Sequence, residues 1–206
     1  MMATHKVRCA SAVPRALGAA ALLLGALATG TAAAQTPARR SLWMDAGLGI
    51  GYLRLTCANC SGIAANGAAL TVTAGGGVTQ NVLLGVQGQQ WQSTTTGAQR
   101  QQVRSILAVV QWYPWRAMRF NIRAGTGIVR GTVAPAAAGA QPGTVRGTGV
   151  VIAFGVGYDI LLSKRFAVAV QAAEQIAGLG DLTVGGVLAN DVIAYVTRVG
   201  VALVWR

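Results

Sequence analysis

The chain has 206 residues, of which 53% are hydrophobic and only 11% charged, and its formal net charge is +12. A soluble domain of this size carries about a quarter charged residues, so this composition is a poor match for an ordinary soluble globule. The length suits one domain.

The first segment is expected to be removed before folding. Lys6, Arg8 and Arg15 make a basic start, Ala16 to Ala28 is apolar or small, and Thr31-Ala32-Ala33-Ala34 followed by Gln35 offers a small-residue cleavage site. That is the layout of a secretory signal peptide. The apolar run is shorter than the roughly 20 residues of a spanning helix, which argues against an uncleaved anchor. Lys6-Val7-Arg8 before Cys9 lacks the small, apolar residues that a lipoprotein cysteine follows. Residues 1–34 are therefore read as a signal peptide and 35–206 as one domain, with 14 basic residues against 5 acidic and only Lys164 as lysine. The lone histidine, His5, leaves with the signal peptide. No later stretch is both long and apolar enough for a membrane helix. An apolar, exported chain without such a helix is either a soluble β-core or a β-barrel in lipid.

Period-two alternation, the mark of a strand with unlike faces, recurs along the domain. The first strand is predicted over Leu42–Thr56, with Leu42, Met44, Ala46, Leu48, Ile50 and Tyr52 on one face and Asp45, Gly47, Gly49 and Gly51 on the other. A second spans about Ala68–Val78 and a third about Val82–Trp91, where Val82, Leu84 and Val86 oppose Gly85, Gln87 and Gln89. In the fourth, Gln102–Tyr113, Ile106, Ala108, Val110 and Trp112 alternate with Ser105 and Gln111, although Leu107 and Val109 blur the pattern. The fifth, Met118–Thr132, sets Phe120, Ile122, Ala124 and Ile128 against Arg119, Asn121, Arg123, Gly125 and Gly127. The sixth runs from Arg146 to Asp159 and the seventh from Phe166 to Ile176. The eighth runs from Asn190 to Trp205, with Val199, Val201 and Leu203 opposite Arg198. Eight strands of about ten or more residues are long enough to cross a bilayer at a tilt. The connections alternate: short at 79–81, 114–117 and 162–165, longer at 57–67, 93–100, 133–145 and 177–189. Short periplasmic turns and longer outer loops are the pattern of an outer-membrane barrel.

The aromatic residues sort the same way. Trp43, Trp112, Tyr113, Trp115, Phe120, Tyr158, Phe166 and Trp205 all fall at the short-turn end, where amphipathic rings would form an interfacial girdle. Tyr52 and Trp91 lie near the opposite end.

The expected fold is thus all-β, an eight-stranded antiparallel up-and-down transmembrane barrel. With its "QWYPW" at Gln111–Trp115, "NIRAGTGIVRG" at Asn121–Gly131 and "GVGYDI" at Gly155–Ile160, the chain resembles the small outer-membrane barrels of Gram-negative bacteria, the OmpA and OmpX type. The resemblance implies an outer-membrane location, insertion by the barrel-assembly machinery and a monomer in contact with lipid and lipopolysaccharide. The family pattern ends on an aromatic residue, whereas here Arg206 follows Trp205.

An eight-stranded barrel has an interior just wide enough for side chains to fill, so no open pore is expected. By parity Asp45, Arg119, Arg123, Asp159 and Arg198 point inward, with Arg119 and Asp159 level on adjacent strands. Buried charges need partners, and these five are read as a lumenal network that holds the barrel shut; a polar relay or ligand site is the alternative. Glu174 shares the parity of the lipid-facing residues. Cys57-Ala58-Asn59-Cys60 lies in the first long loop; one cysteine pair without histidine cannot complete a tetrahedral metal site. A redox motif would want a helix N-terminus behind it, so Cys57 and Cys60 are expected to form a loop disulfide. Gly47, Gly49 and Gly51, like Gly125 and Gly127, sit within strand alternation rather than before a helix, which argues against a nucleotide loop. No cofactor is implied. Outer-membrane enzymes of related build use a histidine as general base, and residues 35–206 contain none, so a non-enzymatic role is expected. Arg54, Arg100, Arg104, Arg130 and Arg146 fall at the outer rim, and Arg39, Arg40, Arg116, Lys164, Arg165 and Arg206 at the periplasmic side. Nucleic acid is a poor partner there. Guanidinium forks suit phosphate, which points the outer set toward lipopolysaccharide. A structural or surface-interaction role follows, with a narrow conduit for small hydrophobic molecules as the competing reading.

Overall fold

A computed structural model describes residues 42–56, 63–94, 99–115, 119–135, 145–184 and 187–206. The signal-peptide assignment, Cys57, Cys60, Arg39, Arg40 and Arg116 lie outside the described residues. Eight strands follow one another: β1 (Leu42–Thr56), β2 (Ile63–Gly77), β3 (Val82–Thr94), β4 (Gln99–Trp112), β5 (Phe120–Pro135), β6 (Val145–Leu161), β7 (Phe166–Val184) and β8 (Val187–Trp205). Each pairs with the next, and β8 returns to β1, giving a closed barrel. Every pairing is antiparallel, and at the seam Ile50 stands opposite Val199. Closure removes the strand edges that a lone sheet would expose.

The alternation read from sequence sorts the side chains cleanly. Leu48 and Ile50 are 67% and 76% exposed, and Val86, Ile128, Phe154 and Val201 also stand out from the wall. Their neighbours in sequence turn inward. An apolar belt of this extent around a closed barrel needs hydrocarbon as its solvent.

Strand length departs from expectation. β2 starts at Ile63 rather than near Ala68, and the predicted connection 177–189 is strand on both sides of residues 185 and 186, with β7 running to Val184 and β8 starting at Val187. The extension of β7 is achieved by register shifts at Gly178/Gly180 and Gly180/Leu182, with Gly180 at φ 69° and Asp191 at φ 53°. A bulge lets a strand absorb an extra residue and bend without ending.

Glycine permits the curvature at the seam. A Cβ on Gly49 would lie 2.4 Å from the Val199 carbonyl oxygen, and one on Gly200 2.3 Å from that of Leu48. No side chain fits between those backbones, so the inward-facing pair Gly49–Gly200 lets β1 and β8 meet.

Candidate functional site: the lumen and the arginine-bearing wall

Inside, the side chains are layered. At the rim carrying Leu42 and Trp205, the Asp159 carboxylate accepts from the Tyr113 hydroxyl at 2.9 Å and from Asn121 Nδ2 at 3.3 Å. It also pairs with Arg206, whose guanidinium donates to the Tyr113 hydroxyl as well and lies 5.0 Å from the centroid of that ring. One step further in, Arg123 Nη2 donates to Asp45 Oδ2 at 2.8 Å and Gln111 Oε1 at 2.7 Å. Arg123 Nη1 donates to Thr73 at 3.3 Å and Gln87 at 3.5 Å, and Thr73 donates to the other Asp45 oxygen at 2.9 Å. The face of Trp43 completes this shell, its centroid 5.3 Å from the Arg123 guanidinium carbon. Charge-assisted bonds of this kind are stronger than neutral ones, and both members of the Asp45–Arg123 pair are buried. Above them Gln175 Nε2 donates to Gln89 at 2.9 Å and to Ser105 at 3.3 Å.

The outer half of the lumen is apolar. Leu53, Leu55, Trp91, Val103, Leu107, Val129, Val151, Leu179, Val192 and Val196 form one buried cluster. Trp91 is fully buried, and its ring lies over Gly51 and Gly67, where a Cβ would come within 2.7 and 2.8 Å of it. Among the described residues side chains occupy both halves of the lumen, as the girth of eight strands requires.

Three expected placements need correction. Trp43, 1% exposed, is a lumenal residue rather than a girdle residue, because it shares the parity of Asp45. Tyr113 turns into the barrel mouth, where Asp159 and Arg206 satisfy its hydroxyl and ring. Arg119 does not join the lumenal charges. Its carbonyl accepts from the Asp159 amide at 3.0 Å, but its side chain is exposed, since β5 begins only at Phe120. Arg206 takes the Asp159 carboxylate instead. The remaining members of the expected network, Asp45, Arg123, Asp159 and Arg198, are all buried inside. Trp91 lies toward the outer end, as the sequence places it, and with the inward parity of Gln87 and Gln89 it forms the centre of the apolar plug.

On the outer surface Trp112, Trp115, Tyr158 and Phe166 are exposed, while Phe120 and Trp205 are half-buried. Phe120 stands opposite Tyr158 and Phe166 opposite Trp205, and the rings of Trp115 and Phe120 lie 6.3 Å apart. Toward the other rim the wall becomes polar on β3–β6. Arg104 stands directly opposite Arg130, and both are exposed, as are Arg54 and Arg146. The side chain of Arg100 lies outside the described residues, while its backbone pairs with Ala134. Gln102, with its amide oxygen toward Arg104, accepts from that guanidinium at 3.1 and 3.3 Å and from Gln90 at 3.1 Å. A cleft of about 470 Å³ on this wall is lined by Arg104, Ile106, Ile128, Arg130 and Thr148. Glu174 faces outward from the wall, opposite Phe154 and Thr197. No group of three or more metal-ligating side chains occurs among the described residues.

The fold is that of the small eight-stranded outer-membrane β-barrels. The structure of Ail, the attachment invasion locus protein of Yersinia pestis, superposes with a TM-score of 0.57 at 13% identity, covering 79% of this chain and 98% of that one. Neisserial surface protein A gives a TM-score of 0.52 at 12% identity, covering 79% and 96%. Ail in complex with the heparin analogue sucrose octasulfate gives 0.56 at 12% identity, covering 80% and 99%. No protein-family model matches the chain, and no curated protein sequence matches it.

Proposed function

We propose that this protein is a non-enzymatic outer-membrane barrel that works through its outer wall and associates there with the phosphates of lipopolysaccharide. The observation that carries this reading is the direct opposition of Arg104 and Arg130 on neighbouring strands, both exposed and bordering one cleft. Like charges set opposite each other on a sheet are destabilising. A phosphate between two guanidiniums reverses that sign, since each fork can offer it two parallel donors. Gln102 braces Arg104 in place, and Arg146 extends the positive strip on β6. The belt stands at the level where hydrocarbon gives way to headgroups, as judged from the apolar residues Ile106 and Ile128 at the cleft's other end. That an Ail barrel of this fold binds a sulfated sugar is compatible with anionic saccharides as partners of such walls. The absence of histidine from residues 35–206 supports the non-enzymatic part.

The test is the lipopolysaccharide that co-purifies with the folded barrel. Replacing Arg54, Arg100, Arg104, Arg130 and Arg146 by glutamine should reduce it several-fold, most of the loss coming from Arg104 and Arg130. Co-purification unchanged in the five-fold variant would sink the reading.

A further inference from the structure

Charge inside the barrel does not balance. Among the described residues, the acids facing the lumen are Asp45 and Asp159, and each is already held, the first by Arg123 and the second by Arg206. Arg198 remains. It is 7% exposed, no hydrogen bond or ion pair holds its guanidinium among the described residues, and its Nε is buried without a partner. A buried charge without compensation is among the most costly features a structure can carry. An arginine cannot escape by losing its proton, as a buried lysine can.

Two small cavities adjoin this guanidinium, and Arg123 lines both of them as well. Each has about 10 Å³ of room, roughly what a single water-sized particle needs. No carboxylate lines either one. Gln87 and Gln89 border the first cavity, and their amide oxygens are used, accepting from Arg123 and Gln175. That leaves their NH2 groups as donors. The surroundings thus offer one uncompensated cation, Arg198, beside the paired Arg123, together with N–H donors from Gln87 and Gln89, and lack an acceptor of matching charge. Small wall residues, Gly155 and Ala173, keep the space open, and the apolar cluster around Trp91 and Leu107 shields it from the outer side.

We propose that the lumen binds one small monovalent anion, of the size and charge of chloride, between Arg123 and Arg198. Such an ion neutralises Arg198 and accepts from the glutamine amides, and an oxyanion of phosphate size is far too large for the space. It makes the anion a structural component of the closed barrel. This site is separate from the outer-wall arginines, and its failure would leave the lipopolysaccharide reading untouched.

The experiment compares folded barrel in detergent micelles in sodium chloride with the same barrel in sodium gluconate at equal ionic strength, gluconate being too large to enter. The unfolding midpoint should be higher in chloride and should saturate as a single site. Arg198→Gln should lose that anion dependence, while Lys164→Gln, in the exposed turn between β6 and β7, should keep it. Equal midpoints in the two salts, or full dependence retained in Arg198→Gln, would overturn the proposal. A measurement that needs no variant is anomalous diffraction from wild-type crystals grown in bromide. A peak between Arg123 and Arg198 is expected; water alone at that position would refute the site.

Discussion

Arg123 makes more hydrogen bonds than any other described side chain in the lumen, reaching Asp45, Gln111, Thr73 and Gln87 while stacking over Trp43. Its removal would strand Asp45 as an unpaired buried carboxylate. Arg123→Met is therefore expected to cost about 3–5 kcal/mol, the usual penalty for breaking one side of a buried pair. Replacing both partners with apolar groups, Asp45→Leu with Arg123→Met, should recover part of that loss, because the remaining charge is gone. Urea unfolding of the barrel in lipid vesicles checks both, and a double variant weaker than the single one would contradict the argument. Parity in the sequence was enough to turn Asp45, Arg123, Asp159 and Arg198 inward. It could not supply partners, because which charges meet across a lumen depends on stagger around the barrel. Hence Arg119 was matched to Asp159 by level alone, while Arg206, beyond the last strand, reaches that carboxylate from the other side of the mouth. Trp43 and Trp91 show what parity does supply. Each shares the parity of inward residues, Trp43 that of Asp45 and Trp91 that of Gln87 and Gln89, and for Trp43 that parity overrides the interfacial preference of tryptophan.

Strands were the most legible level, since alternation is a direct consequence of two unlike surroundings on either side of one wall. Their ends were less so. Gly178, Gly180 and Asp181 look like loop residues, yet β7 carries all three to Val184 by shifting register twice. Glycine here has two different meanings that composition cannot separate. At Gly49 and Gly200 it marks backbones too close for any side chain, whereas a Cβ on Gly76 would meet nothing within 4 Å. Gly49→Val should accordingly block the β1–β8 seam, seen as loss of the heat-modifiable folded band on gels. Gly76→Val, on the same barrel wall, should leave that band in place. Both variants behaving alike would show that the seam does not depend on close approach.

At the scale of the whole molecule, the filled lumen bears on the choice between a surface-acting barrel and a conduit. A conduit for small hydrophobic molecules needs a continuous path, and here the outer half is packed with Trp91, Leu53, Leu107, Val151 and Val196 while the inner half is knitted by Arg123 and Asp159. Neither half could open alone, because a molecule passing the apolar layer would meet buried ionic bonds directly beneath. In planar bilayers the protein is expected to give no sustained current. Trp91 is the side chain whose loss would test this most sharply. It spans the notch formed by Gly51 and Gly67, and a cavity left by Trp91→Ala should lower stability by about 3–5 kcal/mol. The polar layer would remain, so Trp91→Ala should still not conduct. Current should appear only when Arg123 and Asp159 are truncated as well, since that variant removes the barriers of both halves. Steady conductance in the wild-type barrel would favour the conduit; silence in the wild type with current in the combined variant would locate the barriers in Trp91, Arg123 and Asp159.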